Sequence, residues 1–207
     1  MGNVQKLVKM DFLKLLSLGK VLVLYLLFLL VFAADMRMIS FGYMIFLYMG
    51  VYGPMSYDEA SKGNYLLGTL PVSRKQVVQA KYLYALAVLL AAHLLIGLIN
   101  LVIGLFPVSQ KLESAMGALP VLFLLGAVFA AVVLPLVLYL GVMKARWWVM
   151  GLYMLAFMGG GTVLALSTGF GVSGPPRSAS LYLVSAGLLI ASYFVALRLY
   201  SRRQFTE

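Results

Sequence analysis

The sequence predicts an all-α, polytopic membrane protein, and three observations lead there. Of 207 residues, 63% are hydrophobic and only 11% are charged, where an ordinary soluble chain is charged at roughly a quarter of its positions. Mean hydropathy is +1.01, and the apolar residues gather into runs near the ~20 residues that a helix needs to cross a bilayer. These runs lack the period-2 alternation of a membrane β-barrel.

A basic amphipathic helix is expected over 3–19. Val4, Leu7, Val8, Phe12, Leu15 and Leu16 recur at helical spacing, while Gln5, Lys6, Lys9 and Lys14 project elsewhere. Such a helix suits the inner membrane surface. The basic start followed by an apolar run carries no small-x-small cleavage site, so the run reads as a retained first span. Six spans follow, at about 18–34, 38–55, 79–106, 118–142, 147–167 and 180–199, forming a single transmembrane domain over 1–207. Pro135 removes a backbone hydrogen bond within the fourth and is expected to kink it. Lys144-Ala145-Arg146 reads as the tight turn before the fifth, and Trp147 and Trp148 suit an interfacial anchor.

Charge placement orients the spans. With both termini in the cytoplasm, 13 of the 16 Lys and Arg lie inside, leaving Arg37, Lys111 and Arg177 outside. This is the positive-inside bias of a multi-pass plasma-membrane protein. The net charge of +10 thus points to headgroups rather than nucleic acid. Lys6, Lys9, Lys14, Arg202 and Arg203 are expected to anchor the chain to anionic lipid.

Several chemistries are excluded. There is no cysteine, hence no thiolate nucleophile or Cys-ligated metal. Gly19-Lys20 is the one Gly-Lys pair, but Lys14 stands where a P-loop needs its upstream glycine and Val21 where it needs Ser or Thr. HExxH and GxSxG are absent, and no carboxylate sits deep within an expected span. No catalytic residue, metal site or cofactor is therefore assigned to this chain.

Two polar or aromatic sets could line a cargo path. His93 and Asn100, seven residues apart, share a face of span 3; interhelical hydrogen bonding is the alternative. Tyr43, Phe46, Met49 and Tyr52 on span 2 are large and weakly polar, suiting amphipathic cargo or ordinary packing. Gly42, Gly50 and Gly53 on span 2, and Gly97 and Gly104 on span 3, could allow close helix approach.

The inner loop, 56–77, is too apolar for a solvated linker and too charged for a span. Asp58 and Glu59 suit the positive N-terminal end of a short helix. Pro71 breaks that helix, and Ser73 is placed to cap a new one that runs into span 3.

Here the chain resembles a known family. Tyr57-Asp58-Glu59, Lys62, Tyr65-Leu66-Leu67, Leu70-Pro71-Val72-Ser73-Arg74-Lys75, Val77-Val78 and Ala80-Lys81-Tyr82 resemble the first cytoplasmic loop of small type-2 ABC exporter permeases. These include phenol-soluble modulin and peptide-antibiotic exporter permeases. The resemblance implies a permease that pairs with a second copy or a paralogue and moves amphipathic peptide or lipid-like cargo outward. It implies a separate ABC ATPase that binds ATP and Mg. The loop between spans 2 and 3 would be a coupling helix that docks this ATPase. Tyr57, Asp58, Glu59, Lys62, Arg74 and Lys75 would supply polar contacts, Tyr65, Leu66, Leu70 and Pro71 the apolar ones. Lys144 and Arg146 would add a second contact. The last outer loop, 169–179, is short for this family. A non-transporting scaffold or immunity or assembly protein could use the same loop to hold a partner. A secondary carrier is disfavoured by the lack of buried acids.

Overall fold

A computed structural model describes residues 2–17, 19, 23, 27, 36–61, 72–104, 112–169 and 175–202. The expected first span, 18–34, lies almost wholly outside them. Every regular element among the described residues is helical. They are α1 (Gly2–Ser17), α2 (Met36–Leu47), a π-helical turn (Tyr48–Tyr52), α3 (Gly53–Ala60), α4 (Arg74–Gly104), α5 (Leu112–Leu140), α6 (Val142–Gly169) and α7 (Pro175–Arg202).

Among the described residues, three helices are long and apolar enough to cross a membrane: Arg74–Ile99, Leu119–Leu140 and Ala179–Ser201. They correspond to the expected spans 3, 4 and 6. The expected span 5 lies in α6, whose 28 residues extend about 42 Å at 1.5 Å per residue. Span 2 corresponds to α2 and its π-helical continuation.

The long helices alternate in direction. At one end, the Arg74 guanidinium at the start of α4 donates to the Ser201 carbonyl at the end of α7, 2.8 Å. Toward the other end, His93 Nε2 lies 3.0 Å from the Tyr182 hydroxyl, and both rings meet Phe123 of α5 edge-on. Thus α4 runs one way while α5 and α7 return. The hydrogen bond between His93 and Tyr182 is interhelical glue of the kind that apolar surroundings favour. The Asn100 side chain lies outside the described residues.

Helix boundaries follow local chemistry. Ser73 and Gln76 form a capping box at the start of α4. The Gln76 amide N–H donates to Ser73 Oγ at 3.3 Å, and the Ser73 N–H donates to Gln76 Oε1 at 3.0 Å. The capping role expected of Ser73 is therefore observed. α5 passes through Pro120 and Pro135 and continues to Leu140. It ends at Gly141, whose φ of 81° is a left-handed conformation that glycine adopts without strain. The Gly141 N–H closes the helix onto the Val137 carbonyl at 2.9 Å. The turn between α5 and α6 is thus one residue at Gly141. Lys144, Ala145 and Arg146 are not that turn, as expected from sequence, but belong to the first turns of α6. A glycine in the αL conformation reverses the chain in less space than the sequence pattern suggests.

Among the described residues the larger of two core clusters lies where α2, α4, α5 and the start of α6 meet, with Tyr43, Met44, Leu47, Tyr84, Leu89, Leu122 and Phe129 buried at its centre. The smaller joins Leu7 of α1 to Val77 and Val78 of α4, Leu138 of α5 and Ala196 and Tyr200 of α7. Two glycines permit this approach. A Cβ on Gly50 would stand 2.5 Å from Val88 Cγ1, and one on Gly126 would stand 2.6 Å from both Leu47 Cδ1 and Leu89 Cδ1 and 2.9 Å from the Tyr43 hydroxyl. At Gly97, in contrast, no described residue comes within 4 Å of an added Cβ, so the expected close approach there is not seen among the described residues. Seven-residue spacing places glycines on one face but does not say whether a partner helix covers that face. In the π-helical turn, where the α ladder is interrupted, the Tyr84 hydroxyl donates to the Gly50 carbonyl at 2.7 Å.

Replacing Gly126 by Leu is expected to lower stability by about 1–3 kcal/mol through overpacking, read as a lower melting temperature in detergent. Gly97→Leu, which meets no described residue, should leave the melt nearly unchanged. Equal losses in both would argue against the close contact at Gly126.

Candidate functional site

The charged end of the bundle contains four ionisable side chains in alternating sign, three of them buried and Lys14 partly buried. Asp11 comes from α1, Asp58 from α3 and Lys81 from α4, with Lys14 one turn beyond Asp11. Lys81 Nζ donates to Asp11 Oδ1 at 2.9 Å and to Asp58 Oδ2 at 3.0 Å. Lys14 Nζ donates to Asp11 Oδ1 at 3.2 Å and also pairs with Asp58 Oδ1. Each cation touches both anions, so the ring is formally neutral. Its members are nearly sealed, with Asp11 at 1%, Asp58 at 4% and Lys81 at 7% exposure.

Burial of a charge is costly unless it is paired and hydrogen-bonded, and the alternation meets that condition. Local sequence explains the placement. Asp11 follows Leu7 by four residues, so both occupy the inward face of α1, and both are buried. Lys81 stands on the same face of α4 as Val77, Val78 and Tyr84, all buried. Phe12 reinforces the junction by meeting Tyr84 edge-on at 5.1 Å.

Glu59, the next residue, joins a fourth element. Its carboxylate accepts the first amide hydrogens of α6, from Val142 and from Met143 at 3.0 Å. The first N–H groups of a helix have no partner within it, and a carboxylate there also meets the positive end of the helix dipole. Asp58 and Glu59 were expected at the N-terminal end of their own short helix. They lie in the last turn of α3, which begins at Gly53 with Pro54 in its first turn, and Glu59 caps α6; the short helix expected after them falls outside the described residues. The two loop regions that the sequence separates by more than 80 residues thus form one unit. A small cavity of about 30 Å³ lies beside it, lined by residues including Met55, Val77 and Tyr200.

The sequence-predicted coupling residues therefore divide. Asp58 was expected on a docking surface; it is buried in the ring, because Lys14 and Lys81 neutralise it there. Lys14 was expected at the lipid headgroups and instead joins the ring. Glu59 is half-buried and engaged in the cap. Tyr57, Arg74, Lys75, Lys144 and Arg146 are exposed, Arg74 holding the Ser201 carbonyl. Lys62, Tyr65, Leu66, Leu70 and Pro71 lie outside the described residues. Of the span 2 set, Tyr43 and Tyr52 are buried core residues, whereas Phe46 and Met49 are partly exposed. Among the described residues no cluster of His, Asp and Glu could hold a metal ion.

Sequence reasoning missed Asp11 and the role of Lys81. A signal was present: Asp11 is one of only six acidic residues, and it falls on the apolar side of an amphipathic helix.

A family model described as ABC-2 family transporter protein matches residues 6–201. No curated protein and no solved structure matches the chain significantly.

Lys81→Met should destabilise the protein by about 3–5 kcal/mol, because it leaves the buried ring with an uncompensated negative charge. Adding Asp11→Asn restores neutrality and should recover part of that loss, giving a coupling energy of about 0.5–3 kcal/mol in a thermal-melt double-mutant cycle. Additive losses would show that the ring does not act as a unit. Glu59→Ala should cost about 1–2 kcal/mol by uncapping α6, with faster hydrogen exchange at the Val142 and Met143 amides.

Proposed function

The chain belongs to the ABC-2 transporter family, and from that premise we propose that it is the permease subunit of an ATP-driven exporter. It forms six spans in the plasma membrane with both termini in the cytoplasm. A second permease, a copy or a paralogue, pairs with it. A separate ABC ATPase binds ATP and Mg and docks at the charged end of the bundle, and amphipathic peptide or lipid-like cargo moves outward.

The observation that carries this reading is the Glu59 cap. It ties the end of α3, in the loop before span 3, to the start of α6, in the turn before span 5. A motor pressing on this surface would move both regions together. The ion ring extends the same rigid unit to α1 and to the start of α4. Transmission then needs only that ATP-bound and ATP-free partners favour different arrangements of these helices.

The exposed face of the unit offers Tyr57, at 48% exposure, with Lys144 and Arg146. Lys62, Tyr65, Leu66, Leu70 and Pro71 continue the docking segment, with Arg74 and Lys75 at its far end. Asp58 and Glu59 act from within, holding the surface in shape rather than touching the motor. Phe46 and Met49, partly exposed on span 2, contribute to the cargo path between paired permeases, with His93 and Asn100 farther along span 3.

Charge reversal at the exposed pair, Lys144→Glu with Arg146→Glu, should abolish co-purification with the ATPase and the stimulation of ATP hydrolysis by cargo, at an unchanged melting temperature. Wild-type coupling in that double variant would overturn the docking surface. ATPase binding that persists without cargo-stimulated hydrolysis or cargo movement in the wild type would identify a scaffold instead.

A further inference from the structure

Away from the ion ring, α1, α4, α5 and α7 enclose an open groove of about 600 Å³, within the ~300–1,000 Å³ range of small-molecule sites. Its wall is Leu86, Leu89, Ala130, Leu134 and Leu189. The polar groups nearby are engaged within the protein: the Tyr82 hydroxyl lies 2.7 Å from Ser192 Oγ, which donates to the Ala131 carbonyl at 2.5 Å. The wall is accordingly apolar. Its outer rim continues into exposed Leu83, Leu90 and Phe194, a surface suited to hydrocarbon.

One end of the groove differs. Gln5 of α1 and Gln79 of α4 line it there. Lys9 stands one helical turn from Gln5, and Lys75 one turn from Gln79, so each shares a face with its glutamine. Both lysines are exposed. The acids of the same elements do not oppose them, because Asp11 is held in the ring by Lys14 and Lys81. The groove is therefore apolar along its length, with two amides lining it and an exposed lysine one helical turn from each. That order is the order of a phospholipid, with its chain above and its phosphate below.

We infer that this groove holds one anionic phospholipid of the inner leaflet, its acyl chain against Leu86 and Leu134 and its phosphate between Lys9 and Lys75. Interfacial helix α1 supplies part of the site, so the bound lipid fixes α1 against α4 and α7 independently of the ion ring. This goes beyond the export reading and stands whether or not a motor docks.

The test is native mass spectrometry of the full chain released from detergent, with phosphatidylglycerol or phosphatidylcholine of identical chains added. The wild type should retain one phosphatidylglycerol at several-fold higher occupancy than phosphatidylcholine. Lys9→Gln with Lys75→Gln should bring the two lipids to equal occupancy, and both changes are at exposed positions that leave the melting temperature unchanged. Leu86→Trp, which fills the groove, should reduce occupancy of both. Soluble glycerol phosphate, lacking chains, should not displace the lipid. Equal retention of the two lipids by the wild type would overturn the inference. So would a preference untouched by the lysine pair, or displacement of the lipid by an amphipathic cargo peptide. The chain has no cysteine, so Ile190→Cys at the groove reports a second copy directly. Complete crosslinking between copies there would assign the groove to self-association and overturn the lipid site, whereas no crosslink is the expected result.

Discussion

Four charges at one end of an apolar bundle, three of them buried and Lys14 partly so, constrain everything around them. Asp11, Lys14, Asp58 and Lys81 are stable there only while each cation reaches both anions. Movement of α1 away from α4 would expose Asp11 to unpaired burial or Lys81 to one partner. The cost of either is several kcal/mol, so α1, α3 and the start of α4 behave as one piece. Removing one partner from buried pairs of this kind costs far more than the intact pairs contribute to net stability. Here they select one register of an amphipathic helix whose apolar stripe alone would tolerate sliding.

Glu59 extends that constraint through a different interaction. A carboxylate over the first amides of α6 satisfies donors that no residue of α6 can reach, and it does so from the residue adjacent to Asp58. One short helix thus faces two ways: Asp58 toward α1 and α4, Glu59 toward α6. The one-residue reversal at Gly141 makes this possible, because it brings the start of α6 directly beneath the end of α5. These contacts join α1, α3, α4 and α6 of this ABC-2 family chain into one connected unit. The close helix contacts at Gly50 and Gly126 carry the same rigidity into the membrane-spanning core.

Much of the fold was legible from local pattern. Three of the expected spans are long apolar helices, and the Ser73-x-x-Gln76 box marks the start of α4 by a mechanism confined to four residues. The Trp147-Trp148 pair, expected at an interface, is exposed at 78% and 69%. The departures share a cause. Glycines expected to permit close approach on two helices had different fates, because Gly50 meets Val88 while Gly97 meets no described residue. Lys144 to Arg146 looked like a turn because polar residues usually mark turns, whereas glycine's access to αL placed the turn three residues earlier.

By itself, the sequence determined that this is a membrane-embedded helical chain and where its long apolar helices fall. Those properties depend on composition, period and neighbouring residues. Only the tertiary structure decided which charges face outward. Lys14 meets Asp58 across 44 residues, Lys81 meets Asp11 across 70, and Glu59 reaches Val142 across 83. A charged residue beside an apolar run looks the same in sequence whether it greets solvent or a partner buried far along the chain. Its fate is set by the neutralising group that folding brings to it, and local pattern does not record that group.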